Sequence, residues 1–415
     1  MATTNDPTTL ASRLKVRYPK GIAQLVPTST VLMRKLKLRQ DISPGKNVTF
    51  DVQLAQEAGF TVGTSGSLTL NPAVAQASAS AIVEGYQIVL RSQVSYDLIV
   101  RAKSEDAAFA SFNDRKFIPM TESFQKRCEI LAMGYGRGSI GVVTGTPVDS
   151  ASTLTIQFTA GSWCPALFLG SKGTTVEAFS ALTGGSQHDG DLVISSVDSA
   201  NRKIVVTAAS DAYTAVADGD FIFYEGHRAA APLGLVDIAK NTGTLYNISA
   251  ASYDLWKSQA YDVGTSALTL AKILSASGEL ADRGCDQALT CLVPALCFQK
   301  LVSDEAFLVQ HNGGTETAKN GFKKIVFSGV TGDIEILPYM FIKQGEFLMF
   351  PESQTYRIGA SNMTSRISDK TGDMYFDMED STAVQMRLYA EWTVFCERPA
   401  WISLGTRSDG LALHT

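Results

Sequence analysis

Between Val62 and Val83 the chain carries no charged side chain, and between Asn47 and Ala102 it carries no lysine. These residues belong to two extended runs, Val48–Val62 and Ala81–Val100, joined by small polar residues and glycine. A two-stranded hairpin of this length offers too little apolar surface to offset the entropy of ordering it. Such an arm must lie on other structure. A second copy of the same chain is the expected support.

The rest of the sequence sets limits on what that support is. With 415 residues, 45% hydrophobic and 19% charged, the chain is long enough for two or three packed units and too apolar for a disordered one. It has no apolar run of the roughly 18 residues that a membrane-spanning helix needs. The start, Met-Ala-Thr-Thr-Asn-Asp-Pro, lacks the basic-then-apolar order of a secretory signal. The expectation is a protein kept in a cytoplasm, with Cys128, Cys164, Cys285, Cys291, Cys297 and Cys396 as buried reduced thiols. Charge is unevenly spread. Arg13, Lys15, Arg17, Lys20, Arg34, Lys35, Lys37 and Arg39 face only Asp6 in the first forty residues, a balance of +7 on a chain whose net charge is −5. A basic arm on an acidic body suits docking on a neighbour or contact with a polyanion.

Periodicity places the elements. Leu10–Val16 reads as a short helix, Thr30–Asp41 as an imperfect edge strand, and Asp41–Gly45 as the turn that opens the arm. Ser104, Glu105 and Asp106 start a helical stretch whose apolar stripe is Phe124, Cys128 and Leu131, continued by Ile130 and Met133. It stops at Gly134-Tyr-Gly-Arg-Gly138. Four short strands follow, Thr153–Phe158, Leu192–Val197, Lys203–Ala208 and Asp220–Tyr224, and predict a small barrel or sandwich. Beyond Ala229 the pattern is mixed. Helices are expected at Ala267–Asp282 and from Pro294 to Val302, with strands at Ala288–Val293, Lys323–Phe327, Asp333–Leu337 and Glu346–Phe350. The clearest strand runs from Val384 to Cys396, where Val384, Met386, Leu388, Ala390, Trp392, Val394 and Cys396 alternate with the opposite set.

Chemistry-bearing motifs are lacking. The Gly134–Gly138 run follows a helix, whereas a dinucleotide loop follows a strand and opens a helix. The spacing of Cys285, Cys291 and Cys297 by six does not match the tight pairs of zinc sites. His188-Asp189-Gly-Asp191 reads as a hairpin and Asp373 to Asp380 as a surface loop before a strand. No catalytic, cofactor or metal site is expected.

Several segments carry a resemblance. Tyr18-Pro-Lys-Gly-Ile22 with Leu25-Val-Pro27, the loop Gly45–Val100, the helix Ser104–Gly138, the region Ala229–Gly359 and the strand Tyr389–Trp401 occur in the order found in the major capsid proteins of tailed bacteriophages. The chain resembles that family over essentially its whole length, apart from Ile140–Glu225, which reads as an insertion. The resemblance implies an α+β chain with the HK97-type capsid fold. Its parts would be an N-terminal arm (1–45), an extended hairpin loop with its strands (46–103), a spine helix of the peripheral domain (104–139), an inserted β-module (140–228), an axial domain (229–372), and a returning peripheral-domain strand with the C-terminus (373–415).

The implied function is structural and non-enzymatic: self-assembly into an icosahedral shell enclosing phage DNA, made in the host cytoplasm and ending as the virion capsid. The implied partners are identical subunits in hexamers and pentamers, a separate scaffolding protein, a portal, double-stranded DNA bound without sequence specificity and, in some shells, a cement protein. The start of the arm near residue 46 leaves no room for a cleaved scaffolding segment, and a loop without lysine predicts no covalent crosslink through it. Inter-subunit contacts are expected from Arg34, Lys35, Lys37, Arg39, Gly63, Thr64, Ser65, Leu68 and Glu84. An encapsulin-like compartment enclosing cargo enzymes shares the fold and is the alternative.

Overall fold

A computed structural model of the chain describes residues 30–40, 47–64, 66–95, 118–150, 153–207, 216–303, 324–365, 375–377 and 383–415. The expected helix Leu10–Val16, the Asp41–Gly45 turn, the lead-in from Ser104, Ser65, and Arg13, Lys15, Arg17 and Lys20 lie outside the described residues. The described residues form two compact bodies, a small one (88–95, 118–127, 363–365, 375–377 and 383–390) and a large one containing the remainder.

In the small body, strand Tyr375–Asp377 pairs antiparallel with Val384–Met386 at the start of the long strand Ala383–Cys396. Arg387 lies over the Phe376 ring at 4.7 Å. Met386, Leu388 and Ala390 are buried, as the alternation requires.

The large body is built on a six-stranded sheet in the order Gln259–Asp262, Ser403–Thr406, Glu346–Pro351, Leu289–Val293, Gly332–Pro338, Ile325–Gly329. Leu289–Val293 and Glu346–Pro351 are buried at every residue, the pattern of central strands covered on both faces. Helix Leu270–Asp282 covers the sheet with Leu270, Ile273, Ala276 and Leu280, a stripe at helical spacing. Cys285, Cys291 and Cys297 belong to this core, where burial pushes their thiols up, Cys297 to about 12. The strand Ser403–Thr406 was not expected. Ser-Leu-Gly-Thr is too short and mixed to show a period of two, and its place between two other strands comes from long-range pairing.

A seven-stranded antiparallel sheet runs Gly141–Val142, Phe221–Tyr224, Thr175–Phe179, Gln187–Asp198, Lys203–Thr207, Thr153–Gln157, Val148–Ser150. It curls until its first strand meets Thr153–Gln157: Val143 bridges Phe158, and Thr144 N–H donates to the Gln157 carbonyl at 2.8 Å. Of the expected barrel or sandwich, the strands thus form a barrel closed on itself. Leu154, Ile156, Val176, Ala178, Ile204 and Val206 fill it from alternate strand positions. In the segment that follows Phe158, Trp163 stacks on Phe168 at 5.0 Å and both rings meet Phe158.

Helix Ile118–Met133 presents Phe124, Cys128, Ile130, Leu131 and Met133 as buried residues, the stripe read from the sequence. Its 16 described residues span about 24 Å. Gly134 ends it with φ of +112°, a left-handed conformation that glycine adopts without strain.

The segment Thr30–Asp41 departs from expectation. Val31–Lys35 is a helix, and only Leu38–Arg39 is a strand, paired parallel to Arg357–Ile358. The alternation places Leu32, Leu36 and Leu38 on one face of a strand, against Arg34, Lys35, Lys37 and Arg39. Leu32 and Leu36, four apart and both fully buried, are the pair that packs. The free N–H groups of the helix start are met by a buried carboxylate: Leu32 and Met33 donate to Glu129 at 2.6 and 2.8 Å.

The arm also differs in extent. Asn47–Ala55 pairs antiparallel with Ala77–Glu84, so Val62 lies in the turn region. The second run breaks at Gly85, after which Tyr86–Ser95 pairs with the long strand Ala383–Cys396.

Candidate assembly surface

The arm has a fixed root and an uncovered tip. At the root, Phe50 stacks on Phe395 with ring centroids 4.6 Å apart and planes inclined by 14°. Tyr246 and Tyr356 meet Phe395 edge-on at 5.0 and 5.8 Å, a favoured aromatic geometry. Ile82 N–H donates to the Tyr246 carbonyl at 2.9 Å, and the Tyr246 hydroxyl donates to the Val394 carbonyl at 2.7 Å. Val48, Leu54, Ala81 and Val83 are buried. Phe395 belongs to the set that the alternation of the long strand assigns to the face opposite Trp392 and Val394. It is buried there because the arm root covers it.

The described residues of the tip, 56–64 and 66–76, hold their shape through few bonds. Ala58 bridges Val74, Asn71 Nδ2 donates to the Phe60 carbonyl at 2.7 Å, and Asn71 N–H donates to Thr61 Oγ1 at 2.9 Å. Its apolar residues face outward: Phe60 is 83% exposed, Val62 93% and Leu70 78%. Several exposed apolar side chains on one loop whose only charged residue is Glu57 mark an interaction surface.

The basic strip is tied to the body. Lys35 Nζ bonds Glu335 at 2.7 Å and Glu352 at 2.8 Å. Burial pulls this ammonium down, but the two carboxylates outweigh it and its pKa ends above the ordinary value. Arg39 lies 4.5 Å over the Tyr356 ring and 3.8 Å from Glu397. Arg357 Nε donates to the Leu36 carbonyl at 2.8 Å and Nη2 to the Met33 carbonyl at 3.1 Å, so it grips the strip from beneath. Arg34 and Lys37 point to solvent. Burial raises Glu129 to about 7 against the pull of the Leu32 and Met33 N–H groups and Arg357.

The expected contact residues therefore fall into groups. Arg34, Lys35, Lys37 and Arg39 share the strip. Gly63, Thr64 and Leu68 share the arm tip, where a Cβ at Gly63 would overlap the Leu68 side chain. Glu84 is exposed at the root, opposite Asn47. Phe60, Val62, Leu70 and the root clamp of Phe50, Tyr246 and Phe395 were missed, although apolar residues within a charge-free stretch were a usable signal. His188, read as part of a hairpin, is tied inward with Nδ1 2.7 Å from the buried Asp220 carboxylate. Three N–H groups of the Gly134–Gly138 run are spent at the helix end, those of Gly134 and Tyr135 on Ile130 and that of Gly138 on Gly134.

By sequence, no family description matches the chain and no curated protein does. By structure, the match is full-length. A chain of the cyanophage A-1(L) capsid asymmetric unit is covered over 100% of its length by 99% of this one, with a TM-score of 0.57 at 12% identity. Capsid chains of the native and empty GTA particles align over 99% of their length with 98% of this chain, at TM-scores of 0.54 and 0.53 and identities of 7% and 8%. A chain that matches capsid subunits from end to end at this level of identity shares their fold, and that fold is the one of the tailed-phage major capsid proteins.

Proposed function

We propose that this chain is a major capsid protein that assembles with identical copies into a closed icosahedral shell around phage DNA. The observation that carries the reading is the arm: clamped to its own body at Phe50 and Phe395, it presents Phe60, Val62 and Leu70 to solvent. Burying that ridge on a neighbouring copy would remove it from water, and a closed lattice makes many weak contacts strong in aggregate. The end-to-end likeness to capsid subunits supports the same reading. The role is structural and not catalytic. Further partners under this reading are a separate scaffolding protein, a portal and a cement protein. The exposed Arg34 and Lys37 suit contact with an adjacent subunit or with DNA through charge alone, without sequence readout.

Deletion of Gly63–Ser80 tests the arm. The variant should remain soluble and folded, with an unchanged core, and should fail to form stable shells. Normal shell assembly by the deletion variant contradicts the reading.

A further inference from the structure

One region of the large body holds charge that the shell-forming role does not use. Between the barrel, the helix end at Gly134–Gly138 and helix Leu235–Lys240 lies a cleft of about 1050 Å³. Lys343, Arg137 and Lys240 all line it, and all three act electrostatically on Asp237 in the same wall, so they converge. Lys343 is 4% exposed. Burying an ammonium is costly unless its N–H groups find acceptors.

Glu346 attracts the Lys343 ammonium but spends its hydrogen bonds on other groups. Its Oε1 accepts from Lys240 at 2.6 Å and its Oε2 from the Tyr135 hydroxyl at 3.1 Å. Lys343 Nζ reaches only Ser139 Oγ, at 3.3 Å, and lies 5.0 Å from the centre of the Tyr135 ring. Two of its three N–H groups have no acceptor among the described residues. Arg137 donates through Nε to the Ala231 carbonyl at 2.6 Å and rests over the Tyr86 ring at 4.9 Å. Its terminal N–H groups likewise have no acceptor among the described residues. Burial lowers the Lys343 ammonium to about 8, as expected of a cation whose surroundings compensate it incompletely.

The geometry points to this cleft as a binding site for an oxyanion of the phosphate class, free or as the phosphate of a nucleotide, held by Lys343 and Arg137 with Lys240 at the rim. Arginine and lysine are the side chains suited to phosphate, the first through its planar fork and the second as a point charge. The site is built from side chains and makes no use of the Gly134, Tyr135 and Gly138 amides, which bond carbonyls at the helix end. It holds whether or not the chain forms a shell.

Calorimetric titration of the full chain with inorganic phosphate, and separately with a nucleoside monophosphate, tests the site at an ionic strength held constant with chloride. Saturable binding of either probe is expected, and the tighter of the two identifies the source of the phosphate. Lys343→Met should weaken binding about 10- to 100-fold, the loss of one charged hydrogen bond. Arg137→Gln should weaken it about tenfold or more, and it decides the matter if Lys343→Met fails to fold by circular dichroism. Absence of saturable binding by both probes, or wild-type affinity in the folded variants, overturns the assignment.

Discussion

The arm root should open when Phe50 is cut back to alanine. Truncating a fully buried phenylalanine costs about 3–5 kcal/mol. Phe50 is half-buried and spends one ring face on Phe395 at 4.6 Å, so about 2 kcal/mol is the reasonable share. At 1.4 kcal/mol per factor of ten, this raises the population of the detached root about 30-fold. The Ile82 amide reports that event directly, because its acceptor is the Tyr246 carbonyl on the body and not the opposite arm strand. Hydrogen exchange at Ile82 should therefore accelerate about 30-fold in Phe50→Ala, with the amides of Cys291 and Leu292 in the central sheet unchanged. Phe50→Leu should show a smaller effect. An unchanged Ile82 rate, or equal acceleration throughout the core, would refute the clamp.

Other outcomes follow from buried groups. Glu129 and Asp237 are both raised to about 7, mainly by burial. The folded chain then holds these protons more tightly than the unfolded one. Stability should be full below the unfolded values near 4 and fall as pH rises through about 7, Glu129 accounting for about 3 kcal/mol. Chemical denaturation across that window should show the decline, and Glu129→Gln should flatten its share; an unaltered slope in the variant would contradict the assignment. Gly359→Ala should destabilise by about 3 kcal/mol, because a Cβ there would overlap the backbone of Glu391 and Trp392, which cannot move aside within the sheet. A thermal melt matching wild type would show that the strands can separate without cost.

Much of the fold was legible where burial imposes a period. Met386, Leu388 and Ala390 alternate because one face of the long strand is buried, and Leu270, Ile273 and Leu280 repeat at helical spacing for the same reason. Reading failed where a short segment takes its conformation from distant partners. Val31–Lys35 becomes a helix on the Glu129 carboxylate 96 and 97 residues away, and nothing within the segment announces that partner. Thr175–Phe179 and Ser403–Thr406 are strands because neighbours on both sides supply their hydrogen bonds. The candidate surface was partly visible. A charge-free stretch announced the arm, and the exposed Val62 and Leu70 lie inside that stretch, with Phe60 just before it. The clamp at Phe395 was hidden, because alternation places that ring opposite Trp392 and Val394 and says nothing of the arm that covers it. The burial of Lys343 was also hidden, since a lysine three residues before a glutamate reads as any surface turn.

Electron microscopy of the purified full-length chain, alone and with its scaffolding partner, tests the central claim most directly. Closed shells of uniform size, with particles from infected cells containing DNA, are the predicted result. Discrete small oligomers under every assembly condition, or shells that hold cargo protein in place of DNA, would contradict it.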